Sequence, residues 1–300
     1  MKSASSAAEI FEDYRGLLFA VAYRMLGTVA DAEDAVQDTW IRWSSAPRGN
    51  VTDPKAYLIR IVSNTALDRL RSARARREAY VGPWLPEPLL TGPDVAERAE
   101  LAESVSVAML VVLESLTPEE RAVFVLREVF GFSHAEIAAW LGRTEAGVRQ
   151  LAHRAREHVQ ARRPRFDVDR EQQQQVTRRF LAAAIGGDLD GLMAVLAPDV
   201  ALISDGGGKV TAALRPITGA AKVARFLQGI SGRSYNGFDA ADITAEMAAI
   251  NAGAGLLVTA HGQVLAAVTV VVADGQITAI QLVANPEKLR AISAGRALPM

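Results

Sequence analysis

Apolar residues along this chain change their spacing twice, and the changes divide it into three blocks. From about residue 9 to 80 the spacing is helical. Ile10–Met25 is rich in apolar residues, Asp31–Trp43 is two-faced, and a third helix starts at Asp53-Pro54 and runs on through LIRIVSNTALDRLRSARARRE. A Pro- and Gly-rich connector, VGPWLPEPLLTGPD, follows at residues 81–94, after which helical spacing returns. The second block opens at Thr117-Pro118-Glu119-Glu120, with a hydroxyl N-cap, proline at the first helical position and glutamate at the third. Ser133-His134-Ala135-Glu136 repeats that capping box, and Gly142 closes the short helix it starts. Beyond a tight turn, Val148, Leu151, Ala152 and Ala155 keep a helical apolar spacing, which directs Arg149, Gln150, His153 and Arg154 outward.

The third block follows the polar stretch PRFDVDREQQQQ. Helical patterns at Val176–Ile185 and Leu189–Leu196 precede an extended Val200–Ser204, a loop SDGGGK and a helix over Ala220–Leu227. Apolar, β-branched runs then occupy Gly255–Ala260, Val264–Ala273 and Ile277–Val283, with Asp274-Gly275 as a hairpin turn between the last two. Helices first and an antiparallel sheet last predict an α+β domain.

Two helices, a tight turn and an outward Arg/Gln/His row describe a helix-turn-helix able to place donors in a DNA major groove. A surface helix pair with solvated arginines is the plainer alternative. Charge supports the first. The net charge of −1 is built from opposed blocks. Arg60–Glu78 holds six arginines against two acids and Arg143–Arg165 seven against two, whereas Met1–Asp38 and Trp84–Glu120 are acidic. The 300 residues allow two or three domains. The absence of cysteine excludes disulfides and thiol chemistry. The N-terminus has no signal-peptide pattern and no apolar run is long enough to span a bilayer, so a cytoplasmic protein without a membrane partner is expected.

On the helix Asp31–Trp43, the residues Asp31, Asp34 and Asp38 share a face at i, i+3 and i+7. They suit a cationic protein partner, or form a solvated acidic face near a helix start. The helix from Pro54 carries Arg60, Asn64, Asp68 and Arg71 on one stripe and runs into Arg74, Arg76 and Arg77. Arginine fits phosphates and stacks on bases, and asparagine reads an unpaired base edge; a merely basic exposed helix is the alternative. GGGK lacks the spacing of a phosphate-binding loop, Asp205 and Lys209 are placed to pair locally, and WLPEP by itself reads as a stiff linker with a buried Trp84. His261, with Asp205 or Asp242 as a partner, raises an enzymatic reading, against a structural histidine. His134, His153 and His158 are too dispersed to hold a metal, and no cofactor is expected.

The order DAEDAVQDTWIRW, DPKAYLIRIVSNTALDRLRS, LTPEERAVFVLREVFGFSHAEIAAWLG and TEAGVRQLAHRAR resembles the extracytoplasmic-function (ECF) branch of bacterial sigma factors over about residues 9–163. WLPEP, DGGGK and NPEKL resemble the hallmarks of the subgroup with a fused SnoaL-like domain. The resemblance implies two all-α domains, a helical bundle and a helix-turn-helix, followed by an α+β cone of the nuclear-transport-factor-like class. Its expected boundaries are region 2 at 1–80, a linker at 81–109, region 4 at 110–163, a linker at 164–171, the SnoaL-like domain at 172–293 and a tail at 294–300. It implies a non-enzymatic initiation factor whose partners are promoter DNA and core RNA polymerase, met at the β′ clamp helices and the β flap. Asp31, Asp34, Asp38, Trp40 and Arg42 would bind the polymerase. Arg60, Asn64, Asp68, Arg69, Arg71, Arg74, Arg76 and Arg77 would bind the −10 element. Thr144, Glu145, Arg149, Gln150, His153, Arg154 and Arg156 would read the −35 element. A regulatory contact between domains would use Trp84, Leu85, Pro86, Glu87 and Pro88 with Asp205, Gly206, Gly207, Gly208 and Lys209 and with Asn285, Pro286, Glu287 and Lys288. The alternatives are a C-terminal domain that senses or turns over a small ligand, with the front half as a targeting module, and a symmetric dimeric repressor.

Overall fold

The computed structural model describes residues 6–46, 51–91, 106–162, 170–230 and 234–295, with the side chains of 73–78 and 170 outside the description. Its helices begin where hydroxyl and carboxylate side chains satisfy the first backbone N–H groups. Ser6 starts α1 (Ala7–Leu26) with a capping box, and Thr28 accepts the Asp31 amide at the start of α2 (Val29–Ser44). Asp53 accepts the Ala56 amide at 3.0 Å at the start of α3 (Pro54–Glu78). Gly27, in the left-handed region at φ 76°, ends α1.

Contacts group the chain into two compact units, one of residues 1–78 and 112–162, the other of residues 79–111 and 163–298. In the first unit α1, α2 and α3 bury one another's apolar stripes, with Leu18, Tyr23, Trp43, Leu58 and Val62 fully enclosed. After α4 (Val107–Leu113), the Thr117 capping box starts α5 (Pro118–Phe124). A π-helical turn, Val125–Val129, continues α5 and leads to α6 (His134–Leu141) and α7 (Glu145–Arg162). Ser133 boxes the start of α6, and Gly142 ends it at φ 62°.

The helix-turn-helix elements pack on the three-helix bundle in this unit. The Asn64 side-chain amide donates to the Trp140 carbonyl at 2.8 Å. The Arg121 guanidinium is buried, pairs with Glu114 and donates to the Arg24 carbonyl at 3.2 and 3.1 Å. Burial pushes the Arg121 group down to about 9.

The second unit is α+β. Helices α8 (Arg170–Gly186) and α9 (Leu189–Val195) precede β1 (Leu196–Asp205), β2 (Ile217–Thr218) and α10 (Ala220–Ile230). Strands β3 (Ile243–Ile250), β4 (Gly253–Ala260), β5 (Gln263–Ala273) and β6 (Gln276–Val283) follow, and α11 (Arg290–Ser293) ends the described chain. The sheet order is β2-β1-β6-β5-β4-β3, with β1 parallel to β6 and every other pairing antiparallel. The Asp274-Gly275 turn takes positive φ at both residues, 51° and 74°, as a type I′ hairpin requires. One sheet face packs on Val176, Phe180, Leu192, Val223 and Leu227 of the helices. The other carries Leu85 and Leu90 of the connector together with Leu289 and Ile292. The connector is therefore part of this unit.

Candidate functional site

On α2 the acidic stripe lies at the surface, with Asp34 and Arg42 exposed and Asp31 and Asp38 half-buried. Asp31 accepts from the Thr28 hydroxyl at 2.7 Å. Asp34 and Asp38 are spanned by one guanidinium, Arg69 Nη1 reaching Asp34 at 3.1 Å and Nη2 reaching Asp38 at 2.8 Å. Trp40 packs its ring 5.1 Å from that of Phe11 and lines a groove between α1 and α2.

On α3, Arg60, Asp68 and Arg71 are exposed and Asn64 is half-buried, while Leu58, Ile61, Val62 and Leu70 face the core. Arg71 pairs with Asp68 at 3.1 Å and with Glu119 of α5 at 2.9 Å. The side chains of Arg74, Arg76 and Arg77 lie outside the described residues, as does part of the loop before α3, residues 47–50.

On α7, Thr144, Glu145, Arg149, Gln150, His153, Arg154 and Arg156 are all exposed. Thr144 accepts the Gly147 amide at 3.1 Å and so caps the helix. Acidic partners meet most of the donors: Arg149 is 3.0 Å from Glu145, His153 3.3 Å from Glu157, Arg154 3.4 Å from Glu120 and Arg156 3.9 Å from Glu128. Glu119 sits between Arg71 and Arg143. Burial alone would raise its pKa, but the Arg71 hydrogen bond and the charges of Arg71 and Arg143 hold it below the usual carboxylate range.

The second unit gathers the three loop motifs into one buried polar cluster. Asp205, at 0% exposure, accepts from the Tyr80 hydroxyl at 2.6 Å, the Leu85 amide at 2.8 Å, the Gly207 amide at 3.1 Å and the Lys288 ammonium at 2.7 Å. Lys288 also donates to the Leu85 carbonyl and lies 4.0 Å from the Trp84 ring centroid. Asn285 donates to the Tyr80 oxygen at 2.8 Å. Burial and the neighbouring Asp205 carboxylate raise the Tyr80 phenol well above its usual range. A Cβ on Gly207, at φ 59°, would collide with the Asn285 amide and come within 2.9 Å of the Tyr80 oxygen, so only glycine fits.

The local Asp205–Lys209 pair expected from the sequence does not form. Strand alternation turns Asp205 inward to Lys288, and Lys209 pairs at the surface with Glu287. In WLPEP the buried apolar residue is Leu85 at 1% exposure, and Trp84 is half-buried because it covers Lys288. Pro86, Glu87 and Pro88 are buried with Leu85, while Pro286 and Glu287 are exposed.

Sequence reasoning missed a second anchor. The Leu89 amide donates to the Asn251 side chain at 2.9 Å, the Asn251 amide to the Leu89 carbonyl at 2.8 Å, and the Ala252 amide to the Thr91 hydroxyl at 2.7 Å. Asn251 and Ala252 form the β3–β4 turn at φ 49° and 61°, and asparagine tolerates that region. Asn251-Ala252-Gly253 was the available signal. His261 sits at φ 49° in the β4–β5 turn, 3.3 Å from Asp242 and 65% exposed, which is a surface pairing at a hairpin tip; Asp205 is not its partner.

The Sigma-70 region 2 family model matches residues 10–76, and the Sigma-70 region 4 family model matches residues 106–159. The ECF RNA polymerase sigma factor SigJ of Mycobacterium tuberculosis is 41% identical over 286 residues, covering 93% of this chain and 91% of that protein. The probable ECF RNA polymerase sigma factor SigI of the same species is 40% identical over 191 residues, 63% of this chain and 66% of that one. The crystal structure of Mycobacterium tuberculosis SigJ aligns with a TM-score of 0.75 at 37% identity, over 96% of this chain and 98% of that chain. With two sigma-70 domains in order and a relative alike along nearly its whole length, the chain belongs to the ECF RNA polymerase sigma factors.

Proposed function

We propose that this sigma factor docks on the polymerase β′ clamp helices through the α2 face formed by Asp31, Asp34, Asp38, Trp40 and Arg42. The α3 stripe of Arg60, Asn64, Asp68 and Arg71, with Arg74, Arg76 and Arg77, captures the −10 element. The α7 row Thr144, Glu145, Arg149, Gln150, His153, Arg154 and Arg156 reads the −35 element, and region 4 meets the β flap. Residues 1–80 and 110–163 carry these activities, and the C-terminal α+β domain tunes them by holding the connector through WLPEP, DGGGK and NPEKL. Support for the tuning comes from the connector itself. Both backbone groups of Leu85 are taken by Asp205 and Lys288, and Leu89 is taken by Asn251, so the segment between the two DNA-reading regions is fastened at two points.

One observation carries the proposal: among the described residues, several donors on the DNA-reading helices are occupied by protein acceptors in the free chain. Asn64 is bound to the Trp140 carbonyl, Arg71 and Arg143 to Glu119, and Arg154 to Glu120. Glu119 and Glu120 take the place of phosphates. Surface pairs of this kind contribute only about 0.2–1 kcal/mol each, so a polyanion displaces them once the polymerase has engaged the chain. The free chain is expected to bind duplex promoter only in the non-specific range, roughly 10⁻⁴–10⁻⁶ M at physiological salt. Replacing Glu119 with Gln should raise that affinity about two- to fivefold, because two pairs are lost. Fluorescence anisotropy on labelled promoter checks both; tight specific binding by the wild-type chain alone, or weaker binding by Glu119→Gln, contradicts the reading.

A further inference from the structure

The family resemblance places Arg69 with the −10 donors, yet its position on α3 argues for another role. At 100° per residue it lies about 100–180° round the helix from Arg60, Asn64, Asp68 and Arg71. Its guanidinium lies across the acidic stripe of α2 instead, one nitrogen on Asp34 at 3.1 Å and the other on Asp38 at 2.8 Å. Asp34 and Asp38 are i,i+4 neighbours of like charge, an arrangement that drives carboxylates apart. A planar fork is suited to holding two carboxylates at a fixed separation, whereas an ammonium is a point charge. Each acid gives one oxygen to Arg69 and keeps the other for a partner, and their side chains remain 61% and 42% exposed.

We infer that Arg69 is a positioning residue of the polymerase-docking face, which sets Asp34 and Asp38 at a separation matched to basic groups of the polymerase, and is not a promoter contact. The inference rests on the reading above that α2 is that docking face. It runs against simple charge counting. Removing a cation makes the stripe more negative, and counting charges alone predicts tighter docking on a basic partner. Positioning predicts weaker docking, because two acid side chains must then be ordered during association.

The test is a titration of core RNA polymerase with the full chain, labelled away from α2 and α3, at several salt concentrations. Arg69→Ala is expected to weaken binding about three- to tenfold, with Arg69→Lys between it and wild type. On an Asp34→Asn/Asp38→Asn background, Arg69→Ala should add nothing, since the groups it orders are gone. Raising the core concentration should restore open-complex yield. Tighter binding by Arg69→Ala overturns the inference in favour of charge masking. Unchanged core binding with lost promoter opening overturns it in favour of a DNA contact. Additive loss on the double-Asn background reduces Arg69 to a fold-stabilising residue and also overturns it. If the double-Asn chain itself binds core like wild type, the docking face has been misassigned, which is separate from a failure of Arg69. Should Arg69→Ala not fold, Arg69→Lys supplies the same comparison.

Discussion

Asp205 and Lys288 show how a single pair of charges can fasten a connector. Both are buried, at 0% and 7% exposure, and the Asp205 carboxylate accepts from Tyr80, Leu85, Gly207 and Lys288. Breaking such a pair from one side leaves an uncompensated buried charge, which costs about 3–5 kcal/mol. Lys288→Met should therefore destabilise the C-terminal unit by that amount, whereas Lys209→Ala, at the solvent-screened Glu287 pair, should leave its stability nearly unchanged. Urea unfolding followed by tryptophan fluorescence checks the contrast, and equal losses would contradict it. Sequence reasoning found these residues only through motif resemblance. It paired Asp205 with the nearest lysine, since nothing local shows that β1 turns the carboxylate inward to meet a residue 83 positions on.

Elements with a capping residue at one end and a glycine at the other were legible. The boxes at Thr117 and Ser133, the Gly142 stop and the Asp274-Gly275 hairpin all stand where their chemistry puts them. Strand β3 was not found: ITAEMAAI has a helix former at five of its eight positions, and only pairing with β4 makes it a strand. The π-helical turn at Val125–Val129 leaves no local signal either. Fastening of the connector beside β3 hangs on Asn251, whose side chain and amide both bind Leu89. Asn251→Ala removes one of these bonds and strands a buried amide, a loss of about 1–3 kcal/mol. The Leu89 amide proton is expected to exchange with solvent about tenfold faster or more in that variant. Unchanged exchange at Leu89 would mean that Asp205 and Lys288 hold the strap alone.

Across the whole molecule, opposed charge blocks summing to −1 foretold arginine-bearing helical surfaces beside acidic ones. They also raise the expectation that the acidic stretch Trp84–Glu120 shields arginines by mimicking phosphate, and Glu119 of that stretch meets Arg71, 48 positions away; which acid meets which arginine is set by the fold and leaves no local signal. WLPEP by itself reads as a stiff linker, and only the family resemblance implied its contact with DGGGK and NPEKL; the grouping of the connector with the C-terminal unit arises from long-range contacts. Among the described residues no helix is long and apolar enough to cross a membrane. The most direct measurement is transcription in vitro by core RNA polymerase with the full chain on sheared genomic DNA, with the 5′ ends mapped. Discrete start sites that share paired upstream elements, absent with core alone, are predicted, and Asp34→Asn/Asp38→Asn should diminish them. A profile indistinguishable from core alone would contradict the account.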